Sequence, residues 1–220
     1  MRGFIDGEYQ DGEIRGLVAI FGMRGMGKTT ETARLLGECR GGVLFFDTTC
    51  NHGHVLKGYE HISQPGDLKE FLRVNHKRRF RVRYAPADVE IEQHFLAVCM
   101  IVQAFGNMIF AVDEIDTFCG PQHGPSQMPA PLYQLAHVGR HFKVSMVVTA
   151  RDPASLSIRF RSQCESMRIF RVDEETYVQY LAKRIGKQNA SKLPTLQKYQ
   201  YLLWQSGTAE AHVRGGRRSV

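Results

Sequence analysis

The chain has 220 residues, 43% of them apolar and 23% charged, with a formal net charge of +7 and a sequence pI near 9.3. That length suits one α/β domain with a substantial core, and no stretch approaches the ~20 apolar residues of a membrane span. Met1-Arg2-Gly3-Phe4-Ile5-Asp6 lacks a signal peptide's apolar segment, so a soluble, intracellular address is expected.

Residues 1–15 are a polar, glycine-rich lead-in, read as a short hairpin. Leu17–Phe21 is an apolar strand, followed by a helix from Lys28 to about Cys39 and a break at Gly41-Gly42. The run Val43–Phe46 is a second strand, and Asp47 stands at its carboxyl end, where such sheets face their ligands. A helix over Asp67–Val74 precedes Arg79–Tyr84, whose basic and apolar residues alternate with period two. That pattern predicts a strand with one wet, basic face. Ile91, Phe95, Val98, Val102 and Phe105 recur at helical spacing and predict a helix packed on the sheet. Met108–Val112 is a buried strand leading into Asp113-Glu114-Ile115-Asp116. Cys119–Pro131 is a Gly-, Pro- and His-rich loop, Leu132–Val138 a helix, and Val144–Thr149 and Met167–Val172 further strands. Glu174–Ile185 and Leu193–Trp204 read as terminal helices ahead of a basic tail. Strands alternating with helices imply a mostly parallel sheet covered on both faces.

Positive charge gathers at Lys77–Arg83, at Arg159, Arg161, Arg168 and Arg171, and at Arg214, Arg217 and Arg218, which suits an anionic partner. The five cysteines (Cys39, Cys50, Cys99, Cys119 and Cys164) are odd in number and lack a C-x-x-C pair, so they read as reduced thiols. His52, His54 and His61 lie beside Cys50, but their spacing matches no standard zinc pattern, and they read as loop histidines.

Gly22-Met23-Arg24-Gly25-Met26-Gly27-Lys28-Thr29 fits G-x-x-x-x-G-K-[ST], with Thr30 next in line, between a strand and a helix. Backbone N–H groups of such a loop converge on phosphates, and the helix N-terminus adds partial positive charge. Lys28 would reach the β- and γ-phosphates of ATP, and the Thr29 hydroxyl would ligate Mg²⁺. The apolar strand ending in Asp113-Glu114 is the matching Walker B pattern. Asp113 would hold Mg²⁺, and Glu114 would orient and polarise an attacking water. A carboxylate beside the metal favours hydrolysis over phosphoryl transfer to a small acceptor. Asp116 is a weaker candidate that caps a turn.

The stretch from Leu135 through Gly139-Arg140 and Thr149-Ala150-Arg151-Asp152-Pro153, with Ser155–Gln163 after it, resembles the FtsK–HerA superfamily of DNA-pumping ATPases. Among its short members, the genome-packaging ATPases of tectivirus-like, membrane-containing viruses are most similar. The resemblance covers roughly residues 16–172, leaving 173–220 as a C-terminal segment. It implies a RecA-like P-loop NTPase of the ASCE type, assembled as a homo-oligomeric ring, a hexamer, with ATP held between neighbours. It further implies a trans-acting arginine finger, Arg140 first and Arg151 second. The family's Gln after the sensor strand is Ala150 here, which leaves Thr149 to act as sensor. Double-stranded DNA is the implied partner, with a capsid vertex, portal or membrane protein as docking site, in the virion or the host cytoplasm. Arg79, Arg81 and Arg83 are the electrostatic candidates for DNA contact, and the 119–131 loop, with His123 but no Lys or Arg, a weaker one. Three other readings stay open: a nucleotide or nucleoside kinase, a non-translocating ATPase switch, and a nucleotide-binding subunit without hydrolysis.

Overall fold

A computed structural model describes residues 14–87, 89–120, 128–207 and 211–215. Its strands form where apolar runs are long enough to be buried on both faces: β1 Leu17–Phe21, β2 Gly42–Phe46, β5 Met108–Val112 and β6 Val144–Ala150 contain no exposed residue. With β3 Glu60–Ile62, β4 Arg81–Tyr84, β7 Cys164–Ile169, β8 Gln200–Gln205 and β9 His212–Gly215 they make one sheet in the order β3-β4-β2-β5-β6-β1-β7-β8-β9. The strands from β3 to β7 in that order run parallel, and β8 and β9 are antiparallel additions beyond β7.

Successive side chains of a strand point to opposite faces, and the core divides accordingly. Ala19, Phe21, Leu44, Phe46, Phe110 and Val112 face one cluster. Helices α2 Pro65–Asn75, α3 Ile91–Phe105, α5 Ala130–Val138 and α7 Glu175–Ile185 cover it with Leu68, Leu72, Phe95, Val98, Leu132 and Leu181. Val18, Ile20, Val43, Phe45, Ile109 and Val147 face the other, covered by Leu35 and Leu36 of α1 Lys28–Glu38. Three short helices, α4 Asp116–Cys119, α6 Ile158–Ser162 and α8 Lys187–Ala190, are the remaining α-helices among the described residues. A buried ion pair, Arg168 of β7 with Glu31 of α1 at 3.0 Å, ties that helix to the sheet.

Several expectations give way. Leu193–Trp204 is not a helix: a 3₁₀ turn at Leu193–Thr195 leads into β8, which pairs with β7 from Ser166↔Gln205 to Ile169↔Leu202. Its alternate residues enter both clusters, Leu202 one and Tyr201 and Leu203 the other, so the period is two. β9 then pairs with β8, where a frayed tail was expected, and β7 starts three residues ahead of its expected span. The Arg79–Tyr84 face is not wet either. Strand β4 lies inside the sheet between β3 and β2. Arg81 donates to the carbonyls of Cys39, Gly41 and Phe80, closing the C-terminal end of α1, and Arg83 pairs with Asp47; only Arg79 of the three is exposed. The third basic group is partly spent internally, Arg168 on Glu31 and Arg161 on the Pro153 and Leu156 carbonyls, while Arg171 pairs with Asp173 at the surface and Arg159 is exposed. The lead-in hairpin, most of the 119–131 loop with His123, and Arg217 and Arg218 fall outside the described residues.

Candidate functional site

The loop from Gly22 to Gly27 joins the buried end of β1 to α1. Its shape needs glycine at two crowded points. Gly22 has φ 138°, and a Cβ there would come 2.5 Å from Phe170 Cβ; Gly27 has φ 113°, and a Cβ there would come 2.6 Å from Tyr199 Cδ1. Three backbone bonds brace the loop from outside. Gly22 N–H donates to the Arg151 carbonyl and Met23 N–H to the Arg171 carbonyl, both at 3.1 Å, and Tyr199 N–H donates to the Met26 carbonyl at 2.9 Å. Lys28 Nζ lies within the loop, donating to the Gly22 and Met23 carbonyls at 2.6 and 3.2 Å. Burial holds its pKa below the ordinary lysine value, against the opposing pull of Asp113 and Glu114.

Asp113 and Glu114 leave the end of β5 beside this loop, and Thr149 of β6 binds both. Its hydroxyl donates to Asp113 Oδ1 at 2.6 Å and accepts the Glu114 N–H at 3.0 Å. The Thr48 hydroxyl donates to the Asp113 carbonyl, and Ile115 N–H to the Thr149 carbonyl at 2.9 Å. Glu114 sits at φ 46°, a left-handed conformation rare for a residue with a Cβ and costing about 1–3 kcal/mol. The bonds on either side of Glu114 hold that turn. Burial raises the Asp113 pKa, opposed by the His52 charge and the Thr149 hydrogen bond.

Strand β2 adds a third group. Asp47 is fully buried and accepts the His52 N–H at 2.9 Å, His52 Nδ1 at 2.7 Å and an Arg83 N–H at 3.0 Å. The His52 ring packs near Phe45, with centroids 5.7 Å apart, and turns Nε2 toward Asp113 Oδ2 at 3.5 Å. Burial opposes charge on both partners and is outweighed in each. The hydrogen bonds from His52 and Arg83 lower the Asp47 pKa, and the Asp47 bond and Asp113 charge raise that of His52.

Lys28, His52, Asp113, Glu114 and Thr149 line one cleft of about 620 Å³, which also takes in Arg24, Thr29, Thr30, Arg151, Lys198 and Tyr199, with Asp47 buried behind His52. The sequence-derived set is thus largely convergent: Lys28, Thr29, Asp113, Glu114 and Thr149 share the cleft. Arg151 shares it too, 3.7 Å from Glu114 in the same chain. Arg140 does not. It precedes β6 while Arg151 follows it, roughly 20 Å away along a seven-residue strand, and it pairs with Glu165 at 2.6 Å beside a separate cleft of about 310 Å³. The oxygens of Thr29 and Asp113 are the hard donors that Mg²⁺ takes, so the donor set fits that cation.

Two contributors were not foreseen. His52 was read as a loop histidine, although Asp47 at a strand end five residues earlier was a usable signal; His54 turns to the Asn51 carbonyl, and His61 stays exposed on β3. Tyr199 fell in a segment read as helix, and no local signal marks it.

No family model matches the sequence, and no curated protein matches it. Solved structures do. The genome packaging NTPase B204 from Sulfolobus turreted icosahedral virus 2, in complex with AMPPCP, superposes with a TM-score of 0.73 at 14% identity, over 92% of this chain and 98% of that one. The fold is that of the P-loop ATPases. VirB4 of Thermoanaerobacter pseudethanolicus gives a TM-score of 0.68 at 11% identity, over 98% of this chain and 93% of that one. EssC (ATPases 2 and 3) from Geobacillus thermodenitrificans gives 0.53 at 14% identity, over 91% of this chain and 39% of that one. The mostly parallel α/β architecture expected from the sequence therefore stands, and these solved structures share its fold.

Proposed function

We propose that the chain hydrolyses ATP and couples hydrolysis to movement of double-stranded DNA, as the motor of a viral genome-packaging machine. The observation that carries hydrolysis is the convergence of Lys28 and Thr29 with Asp113 and Glu114 in one cleft, with Thr149 fixing both carboxylate residues. The phosphate loop's N–H groups and Lys28 bind and orient the triphosphate. Thr29 and Asp113 would hold Mg²⁺, which would supply positive charge to the phosphates. Glu114 orients the attacking water and accepts its proton. Arg151 steadies Glu114 within its own subunit, and Arg140, distant from its own cleft, serves a neighbour's γ-phosphate in a ring. Residues 16–172 form the motor core, and 173–220 extend its sheet and brace the phosphate loop through Tyr199.

The packaging role rests on B204, a genome packaging NTPase that matches this chain over nearly its whole length. The net charge of +7 suits a DNA partner, with exposed Arg79 the member of the β4 group still available to phosphates. A ring docked on a capsid vertex, inside the virion or the host cytoplasm, completes this reading. The decisive assay is phosphate release with and without double-stranded DNA, repeated with Glu114→Gln. DNA-stimulated release that the substitution abolishes supports the motor. Release indifferent to DNA refutes coupling, and ADP formation that needs a small acceptor returns the chain to the kinases.

A further inference from the structure

The arrangement around His52 is more specific than an orienting contact to a carboxylate. Its Nδ1 faces Asp47, whose two oxygens are already taken by the His52 N–H, the His52 ring and Arg83. With the Thr49 hydroxyl also 3.5 Å from Oδ1, both oxygens of Asp47 are engaged within the protein, and toward the ring it serves as acceptor for Nδ1. Histidine ligands of metals are held this way, with one nitrogen donating to a carboxylate and the other turned to the cation. The turned nitrogen, Nε2, lies 3.5 Å from Asp113 Oδ2. That is too long for a strong hydrogen bond and suits two ligands of one ion. A cation at about 2.1 Å from each would subtend about 110° between them, near the tetrahedral angle and wider than the near-octahedral geometry Mg²⁺ demands. The other oxygen of Asp113 is held by Thr149, which leaves Oδ2 the one turned to His52. Oxygen and nitrogen donors of Asp47, His52 and Asp113 all fall within 4.8 Å of one another.

We infer that His52 Nε2 and Asp113 Oδ2 are joint ligands of one divalent cation, with Asp47 as the outer partner of the histidine. An imidazole donor makes the site favour Mn²⁺, Co²⁺ or Zn²⁺ over Mg²⁺ when the metal is offered alone. The inference deepens the hydrolase reading and takes its catalytic meaning from it. Its test does not use ATP turnover, so either can fail without the other.

The probe is Co²⁺ alone, titrated into the full nucleotide-free chain and followed by its visible absorption, with Mg²⁺ and Mn²⁺ as competitors. The wild type should show ligand-field bands of a nitrogen–oxygen set and yield the site to Mn²⁺ at lower concentration than to Mg²⁺. His52→Ala and Asp113→Asn should each weaken Co²⁺ binding at least tenfold. Asp47→Asn should weaken it about 10- to 100-fold without removing a ligand. His54→Ala, His61→Ala and Cys50→Ser should change nothing. Co²⁺ binding unaltered in folded His52→Ala, or lost in one of those three controls, overturns the assignment. If His52→Ala does not fold, nitrogen hyperfine coupling on Mn²⁺-loaded wild type decides. Coupling to one imidazole that Asp113→Asn abolishes supports the site, and its absence overturns it.

Discussion

Thr149→Val tests how Asp113 and Glu114, the carboxylates proposed to serve hydrolysis, are held. The substitution keeps the branched shape in a position 2% exposed and deletes one hydroxyl. That hydroxyl donates to the Asp113 carboxylate, a charge-assisted bond of about 1.5–3 kcal/mol, and accepts the Glu114 N–H, a neutral one of about 0.5–1.5 kcal/mol. Asp113 loses its donor while buried, and Glu114 loses a bond that keeps its backbone at φ 46°. The sum is about 2–4 kcal/mol of stability, a fall of roughly 5–15 °C in Tm for a chain of this size. The larger effect falls on turnover. Once its N–H is unmade, Glu114 relaxes toward an ordinary conformation, and displacement of a catalytic group by about 1 Å costs about 100-fold in kcat. ATP affinity should change less than about threefold, because Lys28 and the loop have separate supports. Thr149→Ser, which keeps the hydroxyl, should recover most of the rate. Steady-state phosphate release alongside equilibrium nucleotide binding separates these quantities. A valine variant with wild-type kcat, or one whose only defect is affinity, would refute the claim that this hydroxyl sets the geometry of Glu114.

Tyr199→Ala removes the ring packed on Gly27 but leaves the backbone bond to Met26, so ATP should bind about 5- to 20-fold more weakly, measured by calorimetry, with folding intact. Mixing Arg140→Ala with Lys28→Ala subunits should restore part of the ATPase activity that each lacks alone, and no recovery at any ratio counts against Arg140 acting across an interface. The Asp47–His52 pair gives a pH signature in EDTA. The folded-state pKa of His52 lies above 6.5, so its contribution is full below that value and is lost as pH rises through the raised pKa. The Tm gap between wild type and His52→Ala should therefore be widest at about pH 5–6 and shrink on the alkaline side; a gap that grows with pH would show that the ring is bound neutral.

What the sequence disclosed follows from how local each signal is. The strands Leu17–Phe21 and Met108–Val112, the helix Ile91–Phe105 and the phosphate loop are each written in contiguous residues, and each stands where it was read. Leu193–Trp204 misled because Leu193, Leu196 and Leu203 mimic helical spacing, while the open edge of β7 that recruits Leu202–Gln205 is more than thirty residues upstream. The turn at Glu114 has no sequence signature at all, since its cause is a hydroxyl 35 residues away. The place of His52 in the cleft was hidden for the same reason: Asp47 and Asp113 become neighbours only because β2 and β5 pair.

The arginines of β4 show what periodicity can and cannot decide. Alternation correctly put Arg81 and Arg83 on one face, because Val82 and Tyr84 fill the opposite core. It said nothing of what meets that face, where the Cys39 and Gly41 carbonyls just past α1 take the Arg81 guanidinium. For Arg83 the missing premise was one residue past the neighbouring strand. Register pairs Phe45 with Arg83 and Phe46 with Tyr84, which places Asp47 just beyond. A fully buried carboxylate must find a cation or stay protonated. Once Asp47 ends β2 in a parallel sheet, a basic residue on the adjoining strand is the nearest source of that charge. Arg83 is therefore committed to Asp47, the partner of His52, and its replacement would act on Asp47 and His52 before it acted on any more distant group.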